Sequence, residues 1–159
     1  MNRKAEKVGR ICTVREVTPA VVAIVSNTAV KDDVGIPEFI EEVMQEWGCT
    51  WMWKSLRMQG NEGWLKEAIR DGTLVAVTDG SYIRERFPGL CSSAFILECS
   101  SGRGRIIGSF AESSPGANAY RGELLGLMAI HLILLAADKV WGNLGGHVAI
   151  YSDCLGALA

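Results

Sequence analysis

Leu74-Val75-Ala76-Val77-Thr78-Asp79 is an apolar run that stops on a carboxylate, and Val148-Ala149-Ile150-Tyr151-Ser152-Asp153 repeats the arrangement. Short apolar runs rich in β-branched residues read as buried strands. Ser92–Cys99 and Arg105–Ala111 read as two more, close enough to form a hairpin across Ser100-Ser101-Gly102-Arg103-Gly104. Between these and the last strand, Asn118 is a natural N-cap for a long helix running to about Val140. Three strands, a helix and a further strand predict a mixed α/β sheet. The helix then serves as a right-handed crossover that sets the fourth strand parallel to the first. Another helix is expected to start just after Asp153.

Three acids stand out against this frame. Leu127, Ile130 and Leu134 follow Glu123 at i+4, i+7 and i+11, which puts Glu123 on the helix stripe that faces the sheet. A buried carboxylate there is costly unless a cation compensates it. Asp79 shares a strand face with Val75 and Val77, so it too can point toward the helix side. Parallel first and fourth strands end at one edge, where open α/β sheets place ligands; Asp79 and Asp153 become neighbours there, with Glu123 between them. Each acid also has a local explanation. Asp79-Gly80 is a turn pair, Asp153 can cap the helix that follows it, and a glutamate near a helix start suits the dipole. Taken together, three carboxylates without a matching basic cluster suit Mg2+ or Mn2+. The chemistry that fits such a set is two-metal phosphodiester hydrolysis.

The region before Asp71-Gly72 has a different texture. Cys12–Val17 and Ala20–Val25 read as short strands. Pro37 suits a first helical position, and Phe39, Ile40, Val43, Met44 and Trp47 form one stripe before Gly48 ends it. Glu62–Arg70 reads as a second helix with Trp64, Leu65, Ala68 and Ile69 inward. Trp47, Trp51, Trp53 and Trp64 suggest either packing or a platform for stacked bases, and the helix stripes favour packing. The expected division is an N-terminal extension, 1–72, and an α/β domain, 73–159.

Composition narrows the classes. With 159 residues and 48% hydrophobic content, the chain can bury a core. Its five cysteines never fall in a C-x-x-C pair, which suggests neither zinc nor a disulfide framework and favours reduced thiols in an intracellular protein. Leu124–Ala137 is apolar but short for a bilayer, so no membrane partner is expected, and the N-terminus makes a poor signal peptide. A formal net charge of −2 excludes a strongly basic protein yet leaves room for a local patch. Arg84, Arg86, Arg103, Arg105 and Arg121 are candidates for that patch, with solvated surface arginines as the alternative.

T-D-G-S at Thr78–Ser81, Y-R-G-E-L-L-G-L at Tyr120–Leu127 and Y-S-D-C-L-G-A-L at Tyr151–Leu158 together resemble the ribonuclease H domain, in the version attached to reverse transcriptases of retrotransposons. The resemblance covers about Thr73 to Ala159. It implies a ribonuclease H-like mixed sheet and a metal-dependent endonuclease cutting the RNA strand of RNA–DNA hybrids. Asp79, Glu123 and Asp153 are the implied catalytic and metal-binding residues, with two Mg2+ (or Mn2+) ions in a complete site. Ser81, Arg84, Arg86 and Arg121 are the candidates for holding nucleic acid, and a larger polyprotein is an implied context.

The family continues with a fifth strand and a last helix bearing a fourth acid, often near a histidine. This sequence stops at Ala159, so the expected domain is incomplete at its C-terminus and its fourth strand is an exposed apolar edge. Asp138 lies about 22 Å along the helix from Glu123 and cannot replace the fourth acid. His131, expected within a buried helix, and His147, at a strand start, are poor substitutes. A non-catalytic ribonuclease H-like module that binds nucleic acid or protein is the alternative. A phosphate-binding α/β domain is a weaker one, lacking a G-x-x-x-x-G-K-[ST] loop.

Overall fold

The computed structural model describes residues 12–15, 33–34, 38–61, 63–142 and 144–158. Its elements in chain order are β1 (Cys12–Arg15), β2 (Asp33–Val34), α1 (Glu38–Glu46), a short 3-10 turn (Thr50–Met52), β3 (Arg57–Gly60), α2 (Trp64–Asp71), β4 (Leu74–Tyr82), β5 (Leu90–Cys99), β6 (Gly104–Ser113), α3 (Ala119–Trp141), β7 (Val148–Tyr151) and α4 (Leu155–Leu158). The expected strand over Ala20–Val25 and the helix start at Pro37 lie outside the described residues.

All seven strands join one sheet in the order β1-β7-β4-β5-β6-β3-β2. The antiparallel run β4-β5-β6 is the expected meander, and β7 returns beside β4 in parallel. This is a mixed α/β sheet. One neighbour differs from expectation: β1 pairs in parallel with β7, Cys12 opposite Val148 through Arg15 opposite Tyr151. β7 is therefore an interior strand, because the short run Thr13-Val14, with its β-branched residues, supplies the ladder that the rest of the sequence gave no sign of. On the far side β3 adds to β6 and β2 to β3.

α2 ends at Gly72, whose φ of 68° is the left-handed conformation a helix C-terminus favours, and its N–H returns to the carbonyls of Ala68 and Ile69. The boundary expected at Asp71-Gly72 falls between α2 and β4. Described residues on both sides of it share one apolar core: Ile40, Met44, Met58 and Trp64 belong to the same cluster as Leu74, Phe95, Ile130 and Ile150. Trp64 is fully buried, and the Trp53 ring meets Phe95 edge-on at 6.4 Å. Trp47 also packs against this core and Trp51 meets Phe110 edge-on at 5.3 Å, so the four tryptophans pack rather than present a platform.

Asn118 caps α3 as expected, its side chain accepting from the Arg121 N–H at 2.8 Å. At 23 residues α3 is long and apolar enough to cross a bilayer by length and composition. Here it lies on β4 and β5, and its small residues set how closely. A Cβ on Gly126 would stand 2.0 Å from Thr78 Oγ1, so the helix axis can approach β4 only because none is there. That close seating brings the first turn of α3 to the end of the β7–β4 ladder.

Candidate metal centre

Asp79 lies inside β4, not at its end. The strand runs on to Tyr82, with Asp79 opposite Ala94 and Gly80 opposite Ser93, so the Asp79-Gly80 pair makes no turn. What ends is the ladder to β7, at Val77 opposite Tyr151. Two residues further along each strand stand Asp79 and Asp153, so the register alone makes them neighbours.

The face of Asp79 differs from expectation. Thr78 meets Gly126 of α3, and a Cβ on Gly80 would stand 2.6 Å from the Glu123 backbone nitrogen and 2.8 Å from the Gly122 carbonyl carbon. Thr78 and Gly80 therefore face the helix, and alternation turns Asp79 to the opposite side of the sheet. Glu123 reaches it by passing the edge of β4 where β7 has stopped. Gly80 permits this twice over: it leaves space for the helix, and its N–H donates to Glu123 Oε1 at 2.8 Å.

One carboxylate oxygen from each of Asp79, Glu123 and Asp153 lies within 4.8 Å of the others. Glu123 is only 8% exposed, and its second oxygen, Oε2, is buried without a hydrogen-bond partner. Burial pushes the Glu123 carboxyl above the ordinary range. The Gly80 amide opposes this, the Asp153 and Asp79 charges add to it, and the Ser152 hydroxyl tempers it. Asp79 is raised too, by burial first and by Asp153 second, against the Gly80 amide. Ser152 Oγ also accepts from the Cys154 N–H at 3.2 Å, where the chain enters α4.

These groups fit a hard divalent cation: three oxygen donors, close enough to share it, with an orphaned buried oxygen among them. Among the described residues no further Asp, Glu, His or Cys joins the set. Asp138 is far along α3. His131 is on the exposed side of α3, not buried as expected, with its Nδ1 2.7 Å from the Leu127 carbonyl oxygen, and His147 precedes β7 at the other end of the sheet.

The residues expected to hold nucleic acid separate into two groups. Ser81 is exposed on the Asp79 face and lines a shallow groove with Asp79, Ser92, Ala94, Ser109 and Ala111. Arg84 and Arg86 sit in the β4–β5 loop, exposed and without an ion pair among the described residues. Arg121 is instead held in a two-bond pair with Glu112. Arg103 pairs with Glu67 and Asp71, and Arg105 lies buried against Gln59.

Sequence reasoning missed the part played by Gly80 and the serine groove. Gly122 and Gly126, four residues apart on one helix face, were the available sign of a close approach. No family model, curated protein or solved structure matches the chain.

Proposed function

We propose that this chain is a ribonuclease H-type endonuclease, dependent on Mg2+ or Mn2+, that hydrolyses the RNA strand of RNA–DNA hybrids inside the cell, and that it derives from a retroelement. The observation that carries the reading is the convergence of Asp79, Glu123 and Asp153 within 4.8 Å around a buried, unpartnered glutamate oxygen. The T-D-G-S, Y-R-G-E-L-L-G-L and Y-S-D-C-L-G-A-L motifs that hold them supply the substrate class. Asp79, Glu123 and Asp153 would hold the ions. A bound divalent ion supplies a Lewis acid and lowers the pKa of its water.

The chain's own groups divide the remaining work. Gly80 fixes the Glu123 carboxylate through its N–H to Oε1, while Oε2 has no hydrogen-bond partner. Ser81, Ser92 and Ser109, short hydroxyl side chains on the Asp79 face, let a sugar–phosphate strand lie close to the sheet and offer it hydrogen bonds. The raised carboxyls of Asp79 and Glu123 make cation binding compete with protons, so activity rises with pH above the ordinary carboxylate range.

A second reading is a non-catalytic ribonuclease H-like module that binds nucleic acid: Ser81, Ser92 and Ser109 form a groove that can seat a strand whether or not the carboxylates act. Cleavage of an end-labelled RNA–DNA hybrid separates the two. The expected result is Mg2+-dependent cutting of the RNA strand by wild type and none by Asp79→Asn. A wild-type chain that binds the hybrid with Mg2+ present and leaves it intact establishes the second reading instead.

A further inference from the structure

The β4–β5 loop is built unlike the other turns of the sheet. It presents Ile83, 49% exposed, and Phe87, 55% exposed, with Arg84 and Arg86 between them, also exposed. An exposed aromatic ring here stands beside two guanidinium groups that no other described side chain engages. Arg103, Arg105 and Arg121 each have a partner, whereas Arg84 and Arg86 have no ion pair or side-chain hydrogen bond among the described residues.

The loop is also rigid, which a mere surface excursion need not be. The Phe87 N–H donates to the Ile83 carbonyl at 2.8 Å and the Leu90 N–H to the Phe87 carbonyl at 3.1 Å. Tyr82 Oη donates to the Pro88 carbonyl at 3.1 Å, and the Ser114 N–H ties Gly89 to the segment leading into α3. These bonds fix the backbone that leaves Phe87 more than half exposed. Ile83 follows Asp79 by four residues along an extended strand, about 13 Å at the strand rise, so the hook stands at the same edge of the sheet as the carboxylates.

We propose that Phe87, with Arg84 and Arg86, is a clamp for an unpaired nucleotide adjoining the duplex that enters the carboxylate site, so that the preferred substrate is a hybrid with a single-stranded extension. A ring can stack on a base only where the base is not already sandwiched in a duplex, and base-on-aromatic stacking is indifferent to sequence. The guanidinium groups complement the phosphates on either side of that base. Glu85 offsets one of the two positive charges, which keeps the loop from being a general polyanion trap and leaves the ring to discriminate. A protein partner would use Ile83 and Phe87 as anchors but gives no reason for two unpaired arginines beside three carboxylates.

The proposal rests on the ribonuclease reading for the position of the cut alone; the clamp itself is tested by binding without metal. Fluorescence anisotropy in EDTA compares a blunt RNA–DNA hybrid with the same hybrid carrying a single-stranded extension, using wild type, Phe87→Ala, Phe87→Trp and Arg84→Ala/Arg86→Ala. Wild type is expected to bind the extended hybrid about tenfold more tightly. Phe87→Ala loses that preference and keeps its blunt-hybrid affinity, Phe87→Trp restores it, and the double arginine variant weakens both with a shallower salt dependence, by about one unit of slope per arginine. Equal binding of blunt and extended hybrids by wild type overturns the clamp. So does a Phe87→Ala variant that keeps the preference, or one whose only change is dissociation of a self-associated form on size exclusion. Tight, ring-dependent binding of the extended hybrid with no cleavage in Mg2+ removes the nuclease reading and leaves the clamp standing.

Discussion

The two ends of β4 solve the same electrostatic problem in opposite ways. At its start, Glu67 and Asp71 are acids beside a sheet edge, and Arg103 answers both, at 2.9 and 3.0 Å. The same guanidinium group donates to Thr73 Oγ1 and, through Nε, to Cys99 Sγ at 3.3 Å. At the far end Asp79, Glu123 and Asp153 converge, and the described residues offer no cation. The contrast sharpens with exposure: Glu67 and Asp71 side chains are 61% and 54% exposed, while Glu123 is 8% exposed. A charge in water needs little help and a buried one needs a great deal. Had the purpose of each cluster been stability, the arginine would be worth more beside Glu123. The chain instead closes the exposed acids and leaves the buried one open, which is what a site reserved for an external cation looks like.

The strongest way to break this comparison is to add the cation. At about 100 times its Kd, a ligand bound only by the folded state contributes about 2.7 kcal/mol, and at this chain length each kcal/mol moves the melting temperature about 2–4 °C. Mg2+ or Mn2+ is therefore expected to raise the Tm of wild type by about 5–10 °C in scanning calorimetry, and to leave Asp79→Asn or Asp153→Asn nearly unchanged. Equal shifts in wild type and variants would mean the open end is no more a cation site than the closed one.

Next in size is the glycine that lets Glu123 past the strand. An alanine Cβ at position 80 would stand 2.6 and 2.8 Å from backbone atoms of α3, which cannot rotate away as a side-chain tip can. Overpacking of this kind costs about 2 kcal/mol, so Gly80→Ala is expected to lower the Tm by about 4–8 °C. It should also displace Glu123 and diminish the metal-induced rise. A variant that melts lower and still responds fully to Mg2+ would show that the glycine serves packing alone.

A smaller effect tests the open end with no metal present. Folded-state carboxyls raised above their unfolded values give stability that is full below the ordinary range near 4 and is lost as pH climbs through the raised values. The metal-free protein should thus lose stability from mild acid toward neutrality, in the part of the profile these two groups control. Glu123→Gln keeps an acceptor for the Gly80 N–H and removes the buried charge. About 1 kcal/mol is at stake, so its metal-free Tm at neutral pH should be about 2–4 °C above wild type, with a flatter pH profile. A lower Tm at every pH would say that the Glu123 charge is already compensated.

Most of the strands, the long helix and its cap were legible because period and punctuation act locally: Leu74–Thr78, Ser92–Cys99 and Asn118 needed no partner to be recognised. The acids were legible as a set because strand ends and helix stripe point to one edge. Three things were not, and each depends on distant contacts. Asp79-Gly80 has turn chemistry, and only pairing with Ala94 and Ser93 keeps it in the strand. Alternation left two faces open for Asp79, and the fit of Gly126 over Thr78 chose between them. Cys12–Val17 was legible as a strand, but nothing in it named β7 as its partner. Arg121 illustrates the same limit in the site: one turn from Glu123 in sequence, it is turned away to Glu112.

The finest test concerns the closed end. Burial alone would push the Cys99 thiol up, but hydrogen bonds from Ser101, Thr73 and Arg103 outweigh it and bring it down to about 7. Arg103→Met removes the guanidinium donor and the charge while keeping much of the side-chain length. The Cys99 thiol should then titrate above 7, so less thiolate is present at neutral pH, as followed by ultraviolet thiolate absorbance with the other cysteines replaced. Glu67 and Asp71 are exposed enough for water to take over from Arg103, so little change in Tm accompanies it. The metal-induced rise should be untouched, because the two clusters sit at opposite ends of one strand and share no side chain. If Arg103→Met instead weakens the response to Mg2+, the ends are coupled through β4, and the closed cluster helps to hold the register that sets Asp79 beside Asp153.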